Sequence, residues 1–312
     1  MLSRIADTVY WMGRYMERTS GMLQAIRINY IASQDEVLNF SWKALLHTYG
    51  DLSAMALAEV ERDSLKVMEH LLLDRMNAAS AINNITQGRE NARAIQDHIT
   101  REVWQCLNDY YHLIREPALQ QQLRAGDPVS AIDILIKQGL LFNGTSKNTL
   151  SRDECYTYLH IGKFLERAIH VADMVRIKFG ELVTTETQMA PEIYSLRYLL
   201  YSLFGFEVYM KVYKGNFNAD NVLDLLLYSP YFPHSLLYSL HQLHKYFERL
   251  KPESLPESYE QLEFLIGKAM NNAKYSNVVA GDTAALNKFL IQTRNELIEI
   301  GSAFSKYYFG NS

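Results

Sequence analysis

The residues best suited to chemistry are two adjacent Glu-Arg pairs, each in the middle of a strongly periodic apolar stretch. Glu17-Arg18 lies in Arg14-Tyr15-Met16-Glu17-Arg18-Thr19, and Glu166-Arg167 lies in Lys163-Phe164-Leu165-Glu166-Arg167-Ala168. An arginine fork binds carboxylate or phosphate through two parallel hydrogen bonds, and a neighbouring glutamate can orient that fork or act as a base. The same residues can instead form an ion-pair network that fixes how helices pack, because charges inside a bundle must be paired. The sequence leaves both readings open. In the first box Glu17 can reach Arg14 one turn back, whereas Arg18 lies about 100° around the helix and needs a partner from elsewhere. Arg14, Glu17 and Arg18 are therefore candidate binding residues. In the second box Glu166 and His170 sit at i, i+4, where a carboxylate can orient an imidazole. Glu166, Arg167 and His170 form the candidate catalytic set.

A third constellation is Arg89-Glu90-Asn91-Ala92-Arg93 with Asp97 and Arg101. If the helix is continuous, Arg89, Arg93, Asp97 and Arg101 share one face, as a solvated row of ion pairs or as part of a site. Arg89, Glu90 and Arg93 join the binding candidates. Lys245-Tyr246-Phe247-Glu248-Arg249 contains another Glu-Arg step but falls in register with neither box, and is read as coincidence.

The elements that must position these residues read as helices throughout. Ser3 is the expected N-cap of the first, and Ile5, Val9, Met12, Met16, Thr19, Leu23, Ile26 and Tyr30 form one stripe along it. Its opposite face carries Tyr10, Trp11, Arg14, Glu17, Arg18, Gly21 and Ala25, too aromatic and too small for a solvated face, so it is expected to be covered. Arg27 and Arg176 lie within the apolar stripes near the C-terminal ends, where they can snorkel and complement the helix dipole. Further helices are expected over about 35–50, 54–74, a long one carrying residues 89–93 through Trp104 to Arg115, then 117–125, and one capped by Asp127-Pro128 that ends before Phe142-Asn143-Gly144. The polar run 143–150 reads as a linker, and Ser151-Arg152-Asp153-Glu154 as a capping box.

Shifting position 14 onto position 163, by 149, superposes the two boxes over about 25 residues without a gap. Gly13 meets Gly162, Glu17 meets Glu166, and Arg27-Ile28 meets Arg176-Ile177, while Trp11 becomes His160 and Gly21 becomes His170. Leu71-Leu72-Leu73 with Asn77 to Ile82 is echoed by Leu225-Leu226-Leu227 with Tyr231 to Leu236. The expected fold is an all-α helical bundle of two duplicated halves, 1–145 and 151–312, related by a pseudo-twofold axis; a repeat of about 150 residues is too long for a solenoid.

Composition narrows the function. A net charge of -4 gives no footprint for nucleic acid. Two cysteines among 312 residues make neither a disulfide framework nor a thiolate metal site, which favours a reducing cytoplasm. Arg4, Asp7, Arg14, Glu17 and Arg18 interrupt any apolar run near Met1, so no signal peptide or membrane span is expected. No Gly-rich phosphate loop, Glu-x-x-His pair or G-x-S-x-G elbow occurs, and no cofactor or metal is expected. Cys155 takes the place of Ala6 in the repeat and is a poor nucleophile candidate.

Met1-Leu2-Ser3-Arg4 with Tyr10 to Arg18, the box Arg89 to Arg93, and Phe164 to Ala168 together resemble the alpha-E family, bacterial all-helical proteins named for a Glu-Arg motif. The resemblance runs from the first residues to Phe232-Pro233-His234-Ser235, although the family more usually has a proline at the position of Ala78 or Ala79. It implies a setting. Such proteins are commonly encoded beside a circularly permuted ATP-grasp ligase, a transglutaminase-like protein and sometimes a proteasome-like subunit, as in a system that makes or trims peptide amide bonds. Two functions follow. One is a non-catalytic partner that docks with the ligase or holds a carboxylate-bearing peptide. The other is an enzyme of the same pathway acting on an amide or carboxylate through Glu166, Arg167 and His170.

Overall fold

Periodic burial shapes the first helix, α1 (Ser3–Ser33). Val9, Met12, Met16, Thr19, Leu23 and Ile26 of the stripe are buried, while Ile5 and Tyr30 at its ends are partly exposed. Its opposite face is covered as well, with Tyr10, Glu17 and Ala25 buried and Trp11, Arg14, Arg18 and Gly21 half-buried. The computed structural model describes residues 1–34, 41–50, 52–184, 189–254 and 256–310, and among these no strand occurs.

The chain divides into two compact units, Trp11–Arg152 and Met1–Tyr10 with Asp153–Ser312. The first holds the rest of α1, then α2 (Lys43–Tyr49), α3 (Ala54–Val60), α4 (Ser64–Leu72), α5 (Ala81–Ala94), α6 (Arg101–Arg115), α7 (Pro117–Ala125) and α8 (Pro128–Thr149). Of the helix expected over 35–50, residues 35–40 lie outside the described residues. Helix α5 packs on α6, and α6 on α8. Gly88 and Gly139 allow close approach to α1: a Cβ added there would meet Met16 Sδ at 3.0 Å and Ser20 Oγ at 3.1 Å. Arg27 pairs with Asp133 of α8, Nε to Oδ1 2.5 Å, so it ties two helices together instead of answering the helix dipole.

Several expected boundaries are corrected. Residues 54–74 form two helices, because Asp63 caps α4 by accepting from the amides of Leu65 and Lys66. The long helix over 81–115 is broken after Ala94. A 3-10 turn at Gln96–His98 follows, and Thr100 then caps α6 by accepting from Val103 N. Asp97 and Arg101 therefore do not continue the face of Arg89 and Arg93. The run 143–150 is not a linker but the end of α8. There Asn143, Ser146 and Thr149 donate to the carbonyls of Gly139, Phe142 and Thr145, a local bond that makes polar residues compatible with helix. Asp153, not Ser151, caps the next helix through Tyr156 N. Leu2 accepts the first helical amides of α1, those of Ile5 and Ala6, so Ser3 already lies inside the helix.

The second unit comprises the start of α1 with α9 (Glu154–Thr184), α10 (Met189–Ser202), α11 (Phe206–Tyr213), α12 (Ala219–Leu223), α13 (Leu236–Glu248), α14 (Glu257–Tyr275) and α15 (Thr283–Tyr307). Helix α9 packs on α13 and α15, and α14 packs on both of those. Aromatics fill this core. Phe247 stacks on Tyr259 at 4.7 Å and meets Phe304 edge-on at 5.9 Å, while Tyr10 lies 5.7 Å from Phe304 and 5.1 Å from Phe309. No described helix is long and apolar enough to cross a membrane.

Candidate functional site

In the first unit the Arg89 box is assembled by the turn that breaks the long helix. Thr86, Arg89, Glu90 and Arg93 recur at i, i+3, i+4, i+7 along α5, and Trp104, Asn108, Tyr111 and Arg115 recur with the same periodicity along α6. Packing α5 on α6 brings the two rows together. Arg89 donates from Nε (3.3 Å) and Nη2 (3.2 Å) to Asn108 Oδ1, and from Nη1 to Glu90 Oε1 at 2.6 Å. Its Cζ lies 5.1 Å from the Trp104 ring centre and 5.0 Å from that of Tyr111. Arg115 sits 4.1 Å over Tyr111 and reaches Thr86 Oγ1 through Nη2 at 3.4 Å. Cations and rings thus alternate as Arg115, Tyr111, Arg89 and Trp104, an arrangement favourable at each step.

The ladder ends in an exposed ion pair. Glu90 Oε2 accepts from Arg93 Nη2 at 2.7 Å, with Arg93 61% exposed, Glu90 34% and Arg89 only 19%. At the other end of the ladder, around Arg115, an open groove of about 490 Å³ is lined by Asp109, His112, Leu113, Arg115 and Glu116. Sequence reasoning identified Arg89, Glu90 and Arg93 but missed Trp104, Asn108, Tyr111 and Arg115. The signal was their matching spacing, which becomes informative only once the chain is known to reverse between residues 95 and 100.

The two Glu-Arg pairs sit deeper. On α1, Glu17 is buried and Arg14 lies 4.7 Å over the Trp11 ring. On α9, Glu166 and Arg167 are buried and His170 is half-buried one turn on. Arg167 Nη1 donates to the carbonyl of Pro233 at 3.0 Å, and its guanidinium lies 5.3 Å from the Phe164 ring. It thereby ties α9 to the loop that enters α13. His160 is wedged between the rings of Tyr156 (3.9 Å) and Tyr246 (4.7 Å), and its Nδ1 contacts the carbonyl of Tyr156 at 2.8 Å. Two turns beyond Glu166, buried Asp173 accepts from Arg294 Nε at 2.9 and 3.2 Å. Burial pushes its carboxyl above the ordinary range, Arg294 and Arg176 oppose that shift, and Glu166 adds to it.

Neither thiol is poised for nucleophilic chemistry. Burial pushes Cys106 up to about 11, helped by Asp109, and Cys155 up to about 12, helped by Asp153, so both are protonated at neutral pH.

A family model described as a predicted alpha-helical domain with a conserved ER motif, Alpha-E, matches residues 1–309. The chain belongs to the Alpha-E family. Among curated proteins, this Alpha-E chain is similar to an uncharacterized protein of Mycobacterium bovis and to one of Mycobacterium tuberculosis, each 22% identical over 259 residues. An uncharacterized protein of another M. tuberculosis strain is 21% identical over the same length. Each match covers 77% of this chain but 29% of the relative, so the chain spans under a third of the length of these relatives. No solved structure matches the chain.

Proposed function

We propose that this Alpha-E chain is a helical accessory protein of an ATP-grasp amide-ligase system, docking with the ligase or holding a carboxylate-bearing peptide, in the cytoplasm where ATP is available. The observation that carries the reading is a contrast between arginines. Arg167, in the box that offered the best catalytic set, is buried and donates to the Pro233 carbonyl as a strut between helix and loop. Arg93, by contrast, is presented to solvent on an ion-paired and aromatic-backed helix pair. Recognition is served best by groups held on rigid helices, and the second arrangement meets that condition.

The same reading takes the chain as a duplicated helical unit of about 150 residues. Helices α1 and α9 are each 31 residues long. Ser80 and Ser235 occupy the N-caps of α5 and α13, and each amide reaches back three residues, to Asn77 O and Phe232 O, at 3.0 Å. In one unit α5, α6 and α8 pack in succession, as α13, α14 and α15 do in the other.

The test is to titrate the purified chain with a co-encoded ATP-grasp ligase by calorimetry and to assay the pathway with a His170→Ala variant. A defined complex, with turnover unchanged by the substitution, is the expected result. Amide or carboxylate turnover by the chain alone, abolished in His170→Ala, would overturn the accessory reading in favour of an enzyme using Glu166, Arg167 and His170.

A further inference from the structure

An exposed tyrosine means little by itself, since single apolar side chains are scattered over most protein surfaces. Tyr231, 88% exposed, is set apart by the backbone that presents it. One turn of π-helix, Asp224–Tyr228, follows α12 and ends at Ser229, a rare geometry that recurs at functional sites. The loop Ser229-Pro230-Tyr231-Phe232-Pro233-His234 then leads into α13. Ser229 Oγ accepts from Phe232 N at 3.1 Å and from Tyr231 N at 3.4 Å, and Ser235 Oγ donates back to the Ser229 carbonyl, so the loop is clasped at its base. Arg167 holds the Pro233 carbonyl from α9. Phe232 is buried against Gly205, where a Cβ would stand 3.1 Å from its ring. Next to Gly205, Phe204 keeps a left-handed backbone (φ 56°) that bulky residues rarely adopt, and its ring lies 5.1 Å from that of His234. Such strain persists only where the surroundings fix it, and it gathers at ligand clamps and other working sites.

We propose that Tyr231 is a docking anchor, carried on a preformed loop, that inserts into an uncharged apolar pocket of a protein partner. The anchor rests on the accessory role above and locates the surface that docks. Shape makes the partner a macromolecule. Small ligands are held in concave sites that bury most of their surface, whereas a convex loop tip needs a receiver that supplies the cavity. Charge decides which kind. Residues 229–235 include no Lys, Arg, Asp or Glu, and a nucleic acid or an anionic lipid surface is met by cations. An uncharged aromatic tip flanked by exposed Pro230 and Pro233 matches instead the apolar centre of a protein interface, where tyrosine is enriched and charges are depleted. The clasp lowers the ordering cost of binding, because the loop is set before the partner arrives.

The experiment is calorimetry of the whole chain with the co-encoded ATP-grasp ligase, comparing wild type, Tyr231→Ser, Tyr231→Phe and, as a control, Met76→Ser, which alters a side chain 92% exposed in the other unit. Both positions are solvent-exposed, so the variants are expected to fold, and circular dichroism checks that they do. Tyr231→Ser should weaken the complex by about tenfold or more, Tyr231→Phe should stay within about threefold of wild type, and Met76→Ser should leave the affinity unchanged. A wild-type complex that Tyr231→Ser leaves intact overturns the anchor and leaves the accessory role standing; a wild-type chain that forms no complex removes both. Equal weakening by Met76→Ser overturns the anchor, and a loss in Tyr231→Phe as deep as in Tyr231→Ser overturns the apolar pocket. Wild-type binding to vesicles of phosphatidylcholine and phosphatidylserine that Tyr231→Ser abolishes would replace the protein partner with a lipid surface.

Discussion

Replacing Arg89 by Met keeps the aliphatic stem and deletes the guanidinium, which isolates the contribution of the ladder. The guanidinium makes a two-nitrogen contact with Asn108, an ion pair with Glu90, and close approaches to Trp104 and Tyr111. A hydrogen bond to a charged group contributes about 1.5–3 kcal/mol. The pair with Glu90, a third exposed, contributes about 0.5 kcal/mol after screening. Each ring contact adds about 0.5 kcal/mol at a partly exposed site. These gains overlap, and methionine both retains stem packing and avoids the desolvation of a charge. The expected net loss is about 2–3 kcal/mol, read as a lowered midpoint in urea unfolding with an unchanged slope. A double-mutant cycle with Asn108→Ala should show coupling of about 1 kcal/mol or more. A loss below about 0.5 kcal/mol, or coupling indistinguishable from zero, would mean that the ladder does not order the α5–α6 face, and the positioning of Arg93 would lose its basis.

Three further outcomes follow from other parts of the molecule. Gly50→Ala should destabilise by about 1–3 kcal/mol, since its Cβ would stand 2.6 Å from the Leu46 carbonyl and 3.1 Å from His70 Nε2, and the backbone oxygen cannot step aside; thermal unfolding reads this directly. Cys106 and Cys155 should react with iodoacetamide far more slowly at pH 8 than after denaturation, because thiols titrating near 11 and 12 carry almost no thiolate there; labelling at the rate of a free thiol would contradict their burial. Asp173 binds its proton more tightly in the folded chain than at the ordinary 3.8, so its contribution to stability is greatest at low pH and falls as pH rises from there through its raised folded value. An Asp173→Asn variant should flatten the stability profile over that window, and an unchanged slope would show that Arg294 and Arg176 cancel the cost of burial completely.

What the sequence made legible was what a helix writes locally. The stripe from Val9 to Ile26 is buried because a period of 3.6 residues brings those side chains to one side. The aromatic and small residues opposite were a reliable sign of a second covered face, as Tyr10 against Phe304 and Phe309 shows. Pro117 and Asp127-Pro128 marked real starts, because a missing amide proton and a capping carboxylate act within one turn.

The errors share a cause, which is that composition is a poor guide where local hydrogen bonding and burial disagree with it. The run Asn143 to Thr149 looks like a loop, yet each of its polar side chains on the inner edge bonds the carbonyl four residues back, while Phe142, Ser146 and Leu150 stay buried. Conversely, nothing between Ala94 and Arg101 is a glycine or proline, and the chain still reverses, because buried Ile95 anchors the turn and Thr100 caps the next helix. That reversal decides the candidate site. On an unbroken helix Arg89 and Arg93 would have been partnered by Asp97 and Arg101, and the face would have been an ordinary row of solvated ion pairs. Folded back, α6 meets Arg89 with an amide and two rings in place of a carboxylate, so Glu90 is left to tether Arg93. The candidate site of this Alpha-E chain therefore depends on a six-residue connection whose sequence carries no strong breaker, and on partners that only the reversal brings to Arg89.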